Sequence, residues 1–343
     1  MNPIMVSIII SSLALGTMVT MSSTHWLMAW IGLELNTLAI IPIIAKNHHP
    51  RATEATTKYF LVQAAASATV LFSSTINAWS TGTWDITQLT NPYACIMLTM
   101  ALSMKLGLAP LHFWLPEVLQ GSSLKTALII TTWQKLAPMT LLYLTHHSLN
   151  TTTLLTMGLM STMIGGWGGL NQTQVRKIMA YSSIAHLGWM ATILTLSPNL
   201  MLLNLALYLM MTLSTFMLLI FSSSKTIKDL TTSWTISPPT TALMLLLLMS
   251  MAGLPPLTGF MPKWLILQDL TSHSLSTTAT LMAMSALLSL FFYLRLTYTT
   301  TLTMSPTTTQ NKLKWRLQPK LKTTMLSTAT LLSTMLLPIT PML

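Results

Sequence analysis

The chain has 343 residues, of which 52% are hydrophobic and 7% are charged, and its formal net charge is +11. Soluble globular domains carry roughly a quarter charged residues, so this composition excludes an ordinary soluble protein and indicates an integral membrane protein. The single cysteine, Cys95, excludes an internal disulfide and a cysteine-based metal cluster.

Apolar stretches long enough to cross a hydrocarbon core of about 30 Å follow one another along the chain. In chain order they are 3–21, 26–44, 57–78, 93–120, 124–145, 149–170, 177–196, 200–221, 240–271, 274–296 and 323–341. The sequence therefore predicts an all-α, polytopic membrane protein with about eleven transmembrane helices.

The fourth and ninth stretches are longer than a straight crossing needs, and both contain the same Gly/Pro interruption. Gly107 to Pro116 and Gly253 to Pro262 have equal spacing, with an offset of 146 (253 − 107 = 146). Paired interruptions of this kind are typical of internal repeats whose broken helices meet at an ion or substrate site. An odd number of crossings per repeat inverts the second copy. We therefore expect two inverted five-helix repeats at 1–148 and 149–300, each with a broken fourth helix. A basic interfacial loop and a final transmembrane helix are expected at 301–343.

Positive charge lies on one face of the predicted bundle. Lysine and arginine follow the even-numbered stretches, whereas the loops 22–25, 79–92, 146–148, 197–199 and 272–273 contain neither. This asymmetry predicts that the N-terminus and the basic loops lie on the cytoplasm-like side and the C-terminus on the other. It also argues against the nucleic-acid partner that a charge of +11 would suggest. The basic segment 312–322 is expected to contact anionic lipid headgroups or a partner subunit.

Once the loop charges are assigned, four ionisable residues remain well inside the predicted helices: Glu34, Lys105, Lys135 and Lys263. Glu117 and Arg295 lie nearer helix ends and are assigned to the interface, and the place of Asp269, late in the ninth stretch, stays open. A charge near the bilayer centre costs about 2.5 to 3.5 kcal/mol on insertion scales, so such residues usually face the bundle interior and mark proton or ion routes. Opposite charges stabilise each other's ionised forms, so Glu34 could hold Lys105 protonated. When Glu34 moves away, Lys105 could release its proton. We expect that proton to pass to Lys135 and then to Lys263.

Two histidines are candidates to bridge this relay, because a histidine both accepts and donates protons near neutral pH. His112 lies beside the first break and His186 lies in the middle of the seventh stretch. Simpler interpretations stay open, since a lysine near a helix end can reach the interface and a lone histidine can bond a neighbouring helix. The paired histidines at 48–49 and 146–147 lack partners at ligand spacing, so no metal site is expected. No nucleotide-binding loop or haem pair is present either.

Five motifs give the chain a resemblance to a known family. They are WIGLELN at 30–36, KLGLAPLHFWLPE at 105–117, TWQKLAP at 132–138, GWGGLNQT at 166–173 and GLPPLTGF at 253–260. These motifs resemble those of the antiporter-like membrane subunits of mitochondrial NADH:ubiquinone oxidoreductase, respiratory complex I, in its vertebrate form. The likeness covers almost the whole chain. That family is itself similar to membrane subunits of multisubunit cation/proton antiporters.

The resemblance implies an H⁺-translocating subunit of the complex's membrane arm in the mitochondrial inner membrane. The N-terminus and basic loops would face the matrix and the C-terminus the intermembrane space. It implies that Glu34 and Lys105 form the family's ion pair, that Lys135 is the central relay lysine and that Lys263 belongs to the second broken helix. FMN, iron–sulfur clusters, NADH and ubiquinone would be handled by other subunits, with no cofactor in this chain. Expected partners are neighbouring antiporter-like subunits, accessory subunits and phospholipids such as cardiolipin.

Family members commonly have additional N-terminal helices that this sequence lacks, so accessory subunits or lipid are expected to cover that flank. Two other classes of function stay open. One is a stand-alone cation/proton antiporter, although no acidic pair stands out as a sodium site and the lysine series favours a proton relay. The other is a scaffold in which buried charges only fix helix register.

Overall fold

A computed structural model of the chain describes residues 3–47, 49–235, 237–302 and 324–338. Within these ranges the chain forms fifteen α-helices and no β-strand. The helices are α1 Pro3–Ser22, α2 Trp26–Ile44, α3 Pro50–Thr81, α4 Pro92–Leu106, α5 Trp114–Gly121, α6 Leu124–Thr131, α7 Trp133–Leu144, α8 Thr151–Gly169, α9 Val175–Ile193, α10 Pro198–Ser222, α11 Ile227–Thr232, α12 Pro238–Ala252, α13 Phe260–Ser272, α14 Ser276–Leu302 and α15 Thr324–Thr334.

The helices agree with the predicted fold class. Each predicted apolar stretch overlaps at least one of them, so the all-α fold is confirmed. Within the part of the chain that the structure describes, five helices, α1, α2, α3, α10 and α14, are individually long and apolar enough to cross a membrane. The total number of crossings and the inverted-repeat layout stay predictions. The basic segment 312–322 lies outside the described residues, as does His48.

The outer face of α1 shows why the fold belongs in lipid. Ile4, Ile8, Leu15 and Met18 are each more than half exposed. A continuous apolar face of this kind is unfavourable in water but suits a hydrocarbon environment, where α-helices satisfy their own backbone hydrogen bonds. The chain is therefore a multi-pass membrane protein.

Contacts divide the chain into two compact units. Unit 1 comprises Met1–Ser161 and Leu187–Pro198, and unit 2 comprises Thr162–His186 and Asn199–Leu343. The predicted domain limits at 1–148, 149–300 and 301–343 stay a prediction.

Each unit contains a close helix contact made by glycine. In unit 1, a Cβ atom added at Gly16 of α1 would lie 2.9 Å from the carbonyl oxygen of Gly32 in α2. In unit 2, a Cβ atom added at Gly165 of α8 would lie 2.9 Å from the carbonyl oxygen of Tyr181 in α9. Small residues at such points let helix backbones approach closely in membranes. The two contacts are related by one sequence offset (165 − 16 = 149 and 181 − 32 = 149).

Each unit also joins two of its loops by an antiparallel pair of backbone hydrogen bonds. In unit 1 they connect the loop before α2 with the loop after α3, and in unit 2 the loop before α9 with the loop after α10. The donor and acceptor pairs are Trp26–Trp84 at 3.1 Å, Ile86–Thr24 at 3.0 Å, Val175–Lys225 at 3.1 Å and Ile227–Thr173 at 3.2 Å. The donors and acceptors of the two units therefore correspond one to one.

A capping box fixes the start of α11. The Asp229 carboxylate accepts hydrogen bonds from the backbone N–H groups of Lys225 at 2.9 Å and Thr226 at 2.8 Å. The Thr226 hydroxyl accepts one from the Asp229 N–H at 3.4 Å. Partial burial alone would raise the pKa of Asp229, but the hydrogen bonds from Thr226 and Lys225 outweigh it, and the pKa lies below its ordinary value of 3.8.

This box makes the local stability of the α10–α11 loop dependent on pH. Because the pKa of Asp229 is lower in the folded state than its ordinary value of 3.8, its ionised carboxylate stabilises the fold fully above pH 3.8. This stabilisation is lost as the pH falls through the pKa of the folded state. Replacing Asp229 by alanine is expected to destabilise the loop by about 1 kcal/mol, as loss of a helix cap does. Hydrogen exchange of the amides at 225–229 measures this, with Lys228→Ala as the control. Equal protection in both variants would show that the carboxylate does not cap the helix.

Candidate functional site

The first interrupted helix occurs where the sequence predicts it, between α4 and α5. The helix α4 ends at Leu106 because Gly107 has φ +82°, in the left-handed region that favours glycine. The indole N–H of Trp114 donates a hydrogen bond of 3.0 Å to the carbonyl oxygen of Met104. A carbonyl group freed by the break is thus satisfied inside the protein, as a membrane interior requires.

Lys105 lies in the last turn of α4 and is only 6% exposed. Its ammonium nitrogen has no hydrogen-bond partner among the described residues, and the same is true of one carboxylate oxygen of Glu34 on α2. The two groups lie within electrostatic range of each other. They are nevertheless not in contact, since no ion pair within 4.0 Å is seen between these two described residues and neither atom has a hydrogen-bond partner. The structure therefore holds the predicted pair near each other but separated.

One small cavity in unit 1 brings Lys105 and Lys135 together. It leaves about 10 Å³ for the centres of water molecules, which is about the minimum needed to hold one water. Its other polar side chains are Asn36, Thr37, Tyr59, Gln63 and Gln134. Its apolar lining consists of Leu33, Leu106, Trp114, Leu115, Ile130 and Pro138. Two lysines from different helices thus share one small cavity with polar side chains in its lining.

The helix that carries Lys135 is broken, contrary to the single helix predicted over 124–145. The stretch 124–145 forms α6, which ends at Thr131, and α7, which begins at Trp133; Thr132 between them has ψ −70°. The Thr132 hydroxyl donates to the Leu128 carbonyl oxygen at 2.7 Å, a bond that often bends helices. Pro138 in α7 removes a further backbone donor. Because of the break at Thr132, Lys135, which is 2% exposed, lies in the first turn of α7.

An amide pair next to the two ionisable positions was also missed. The side-chain amide of Gln134 donates to the side-chain oxygen of Asn36 at 2.9 Å and to its backbone oxygen at 3.3 Å. Gln134 precedes Lys135 in α7, and Asn36 follows Glu34 by two positions in α2. The pair therefore fixes the helix of the glutamate against the helix of the lysine. Both residues belong to the motifs at 30–36 and 132–138, where their polarity inside apolar stretches was an available signal.

His112 lies in the loop between α4 and α5, and it is not part of the lining of the lysine cavity. The residue is 3% exposed, and its Nδ1 atom has no hydrogen-bond partner among the described residues. Its ring packs against Phe113 with centroids 4.3 Å apart. His112 is thus close to the first break in sequence but separate from the space that Lys105 and Lys135 share.

The second interrupted helix, in unit 2, has the same turn as the first. The helix α12 ends at Ala252, and Gly253 has φ +86°. Lys263, in the first turn of α13, donates a hydrogen bond of 2.8 Å from its ammonium group to the Ala252 carbonyl oxygen. A cation at this place is favourable, because the C-terminal end of a helix carries partial negative charge. Lys263 thus bridges the break, and a Cβ atom at Gly253 would lie 3.0 Å from its Nζ atom.

His186 belongs to α9 in unit 2 and is buried, with its ring 5.6 Å from that of Tyr208 in α10. The predicted site residues are thus divided between the units. Unit 1 contains Glu34, Lys105, His112 and Lys135, and unit 2 contains His186 and Lys263. The step from Lys135 to Lys263 stays a prediction.

Buried lysines beside broken helices in a polytopic bundle define a class of membrane proteins that move cations or protons. Comparison with known proteins identifies the family within this class. The profile described as NADH:quinone oxidoreductase/Mrp antiporter, TM, matches residues 23–289, and the profile described as NADH dehydrogenase subunit 2 C-terminus matches residues 290–343. The chain belongs to the NADH:quinone oxidoreductase/Mrp antiporter family, and the resemblance deduced from its motifs is confirmed.

Full-length relatives agree with this assignment. NADH-ubiquinone oxidoreductase chain 2 of Xenopus laevis is 61% identical over 342 residues, which is 100% of this chain and 99% of the relative. The same protein of Salmo salar is 59% identical over 341 residues, which is 99% of this chain and 98% of the relative.

Solved structures show the same fold. A chain of respiratory complex I from Thermus thermophilus superposes with a TM-score of 0.85 at 27% identity, covering 96% of this chain and 76% of the other. Two more distant structures share the fold alone. They are an archaeal membrane-bound sulfane sulfur reductase, with a TM-score of 0.83, 18% identity and coverage of 96% and 72%, and the Mrp complex of Dietzia, with a TM-score of 0.75, 16% identity and coverage of 85% and 59%.

Proposed function

We propose that this chain is an antiporter-like membrane subunit of a proton-pumping NADH:ubiquinone oxidoreductase in the mitochondrial inner membrane. The observation that carries the proposal is the shared cavity of Lys105 and Lys135, in a chain similar over its full length to chain 2 subunits of that enzyme. Buried lysines that share a polar space suit proton transfer better than binding of a metal cation, because a lysine offers donors and no anionic ligand.

The proton route we propose starts at Glu34 and Lys105. When the two approach, attraction holds the lysine protonated, and when they separate, Lys105 can release its proton. The separation of the two groups in the structure supports a pair that can open in this way. A water in the shared cavity would carry the proton to Lys135, since one bridging water can replace a direct hydrogen bond. The amides of Asn36, Gln63 and Gln134 would orient that water without carrying the proton themselves.

The route would continue from Lys135 to Lys263 in the second broken helix, with His186 as a bridging group in unit 2. His112 would serve at the first break, where it could exchange protons through a water that is not part of the lysine cavity. Release of the Lys263 proton would require its ammonium group to leave the Ala252 carbonyl oxygen that it now contacts.

The layout we propose is a pair of inverted five-helix repeats followed by a final helix, with about eleven crossings in all. The matching glycine contacts at Gly16 and Gly165, and the matching loop hydrogen bonds of the two units, support it. The asymmetry of the basic loops supports a matrix location of the N-terminus and an intermembrane-space location of the C-terminus.

The redox chemistry in this proposal belongs to other subunits, which would hold FMN and the iron–sulfur clusters and would bind NADH and ubiquinone. Within the described ranges, no group of three or more histidine, cysteine, aspartate or glutamate side chains could hold a metal ion. The proposed partners are neighbouring antiporter-like subunits, accessory subunits and phospholipids such as cardiolipin. The exposed apolar face of α1 is one surface that accessory subunits or lipid would cover.

The competing function is a stand-alone cation/proton antiporter, and reconstitution separates the two. Purified alone and placed in sealed vesicles, the chain is expected not to exchange protons for an imposed Na⁺ or K⁺ gradient. The complex that contains it is expected to translocate protons when NADH and a quinone are added, as reported by a pH-sensitive dye. Vesicles treated with a proton ionophore are the control. Cation-dependent proton movement by the chain alone would overturn the proposal in favour of the antiporter.

A further inference from the structure

A surface groove of unit 1 plays no part in the proton route proposed above. It has a volume of about 180 Å³ and lies where the first turns of α1, the end of α2 and the start of α6 meet. Its walls are apolar and consist of Val6, Ile9, Ile10, Ile43 and Ile129. An open apolar groove of this kind in a membrane protein is occupied in the bilayer, by lipid or by another protein.

The polar part of the groove is positively charged. Lys46, just after α2, and Lys125, in the first turn of α6, both line it and are both exposed. The remaining lining residues are Ser123, whose hydroxyl caps the start of α6, and Thr126. None of the described lining residues is acidic, so the two ammonium groups have no counter-charge within the groove. The groove therefore complements a ligand with one negatively charged end and one apolar end.

The depth of the two lysines agrees with such a ligand. Both follow predicted crossings on the basic face, which places them at the level of the lipid headgroups. From that level α1 advances about 1.5 Å per residue into the membrane, so Val6, Ile9 and Ile10 form a track that leads away from the charged end. Basic residues at this depth attract anionic headgroups.

We propose that this groove binds one anionic phospholipid. Its phosphate group lies between the ammonium groups of Lys46 and Lys125, and one acyl chain lies along Val6, Ile9 and Ile10. Charge complementarity selects this occupant over a zwitterionic lipid, whose own cation would approach the two lysines. The site is formed within unit 1 and does not depend on the proposed proton route.

Lipid retention tests the proposal on the protein as it is purified from its membrane, together with the subunits that accompany it. After an identical detergent wash, bound phospholipids are quantified by native mass spectrometry and lipid extraction. The Lys46→Gln/Lys125→Gln variant is expected to lose about one anionic phospholipid per chain. The matched control is Lys225→Gln/Lys228→Gln, which removes two exposed lysines of the predicted basic face outside the groove and is expected to retain that lipid.

A second variant separates a seated lipid from headgroups that only collect near positive charge. Ile129→Trp fills the groove and keeps both lysines, so it is also expected to lose the lipid. Exposure of the washed wild-type protein to vesicles of phosphatidylglycerol is expected to restore it, whereas phosphatidylcholine vesicles are not.

Three results would overturn the assignment. They are equal retention in the Lys46/Lys125 variant and the wild type, restoration by both kinds of vesicle, and loss of a co-purifying protein in place of a lipid. The last result would show that a helix of a partner protein occupies the groove.

Discussion

Replacing Lys135 by methionine is expected to leave the protein assembled and to reduce NADH-driven proton translocation at least about tenfold. This figure is conservative, because a positioned proton-transfer group typically contributes a factor of about 10² to 10⁴ to the rate. Lys135 is 2% exposed and lines the cavity with Lys105. Methionine has a similar length and an adaptable apolar side chain, so it fills the same space. The substitution removes the titratable group and keeps the packing.

The measurement has two parts, assembly and coupled turnover, because a scaffold and a pump differ in which one is lost. Lys228→Met is the control, since Lys228 is exposed on α11 and lies outside the site. Lys135→Arg adds a second test, because arginine keeps a fixed charge but cannot release its proton. Both Lys135 variants are expected to assemble and to translocate poorly.

Full activity of Lys135→Arg would show that the charge alone matters, and full activity of Lys135→Met would remove Lys135 from the route. Failure of Lys135→Met to assemble, with normal assembly of Lys228→Met, would favour the scaffold interpretation.

Replacing Gly259 by alanine is expected to have the largest effect on the structure itself. Gly259 immediately precedes α13, and a Cβ atom there would overlap the carbonyl group of Ser250 in α12. A backbone carbonyl in a packed helix cannot rotate away as a side chain can. Overpacking of a well-packed interior typically costs about 1 to 3 kcal/mol and occasionally more, and a clash with backbone should lie at the upper end. The start of α13 could then not pack against α12 as closely as it does at the second break.

Gly82→Ala is the matched control for this substitution. Gly82 ends α3 with φ +73°, and a Cβ atom there would meet no atom within 4 Å. Alanine at Gly82 therefore carries only the cost of a left-handed residue, about 1 to 2 kcal/mol. The yield of assembled protein and the unfolding temperature are expected to fall further for Gly259→Ala. Similar losses in the two variants would mean that close approach at Gly259 does not hold the break together.

The comparison of sequence and structure is clearest at the two glycine turns. Gly107 and Gly253 end α4 and α12 at positions that the Gly/Pro spacing had predicted. This was possible because a left-handed φ and the lack of a proline N–H are properties of the local backbone. The break at Thr132 was not predicted, because threonine is common inside helices and only its bond to Leu128 and the packing around it reveal the interruption.

The partners of the ionisable residues could not be predicted either. The sequence placed Glu34 and Lys105 as a pair, and the structure has them near each other without an ion pair shorter than 4.0 Å. The sequence did not indicate that the ammonium group of Lys263 would contact the Ala252 carbonyl oxygen. Such contacts join residues from different helices, and their geometry depends on how those helices pack.

By itself, then, the amino-acid sequence determined the membrane environment, the helical class, the two glycine breaks and the ionisable residues inside helices, of which Lys105 and Lys135 are buried. It could do so because hydrophobic length, backbone stereochemistry and charge cost act along the chain. The tertiary structure alone decided that Lys105 and Lys135 share one cavity, that Gln134 holds Asn36 beside it and that His112 lies outside it. The physical reason is that helices far apart in sequence meet through side-chain packing, and that packing fixes which polar groups face the same enclosed space.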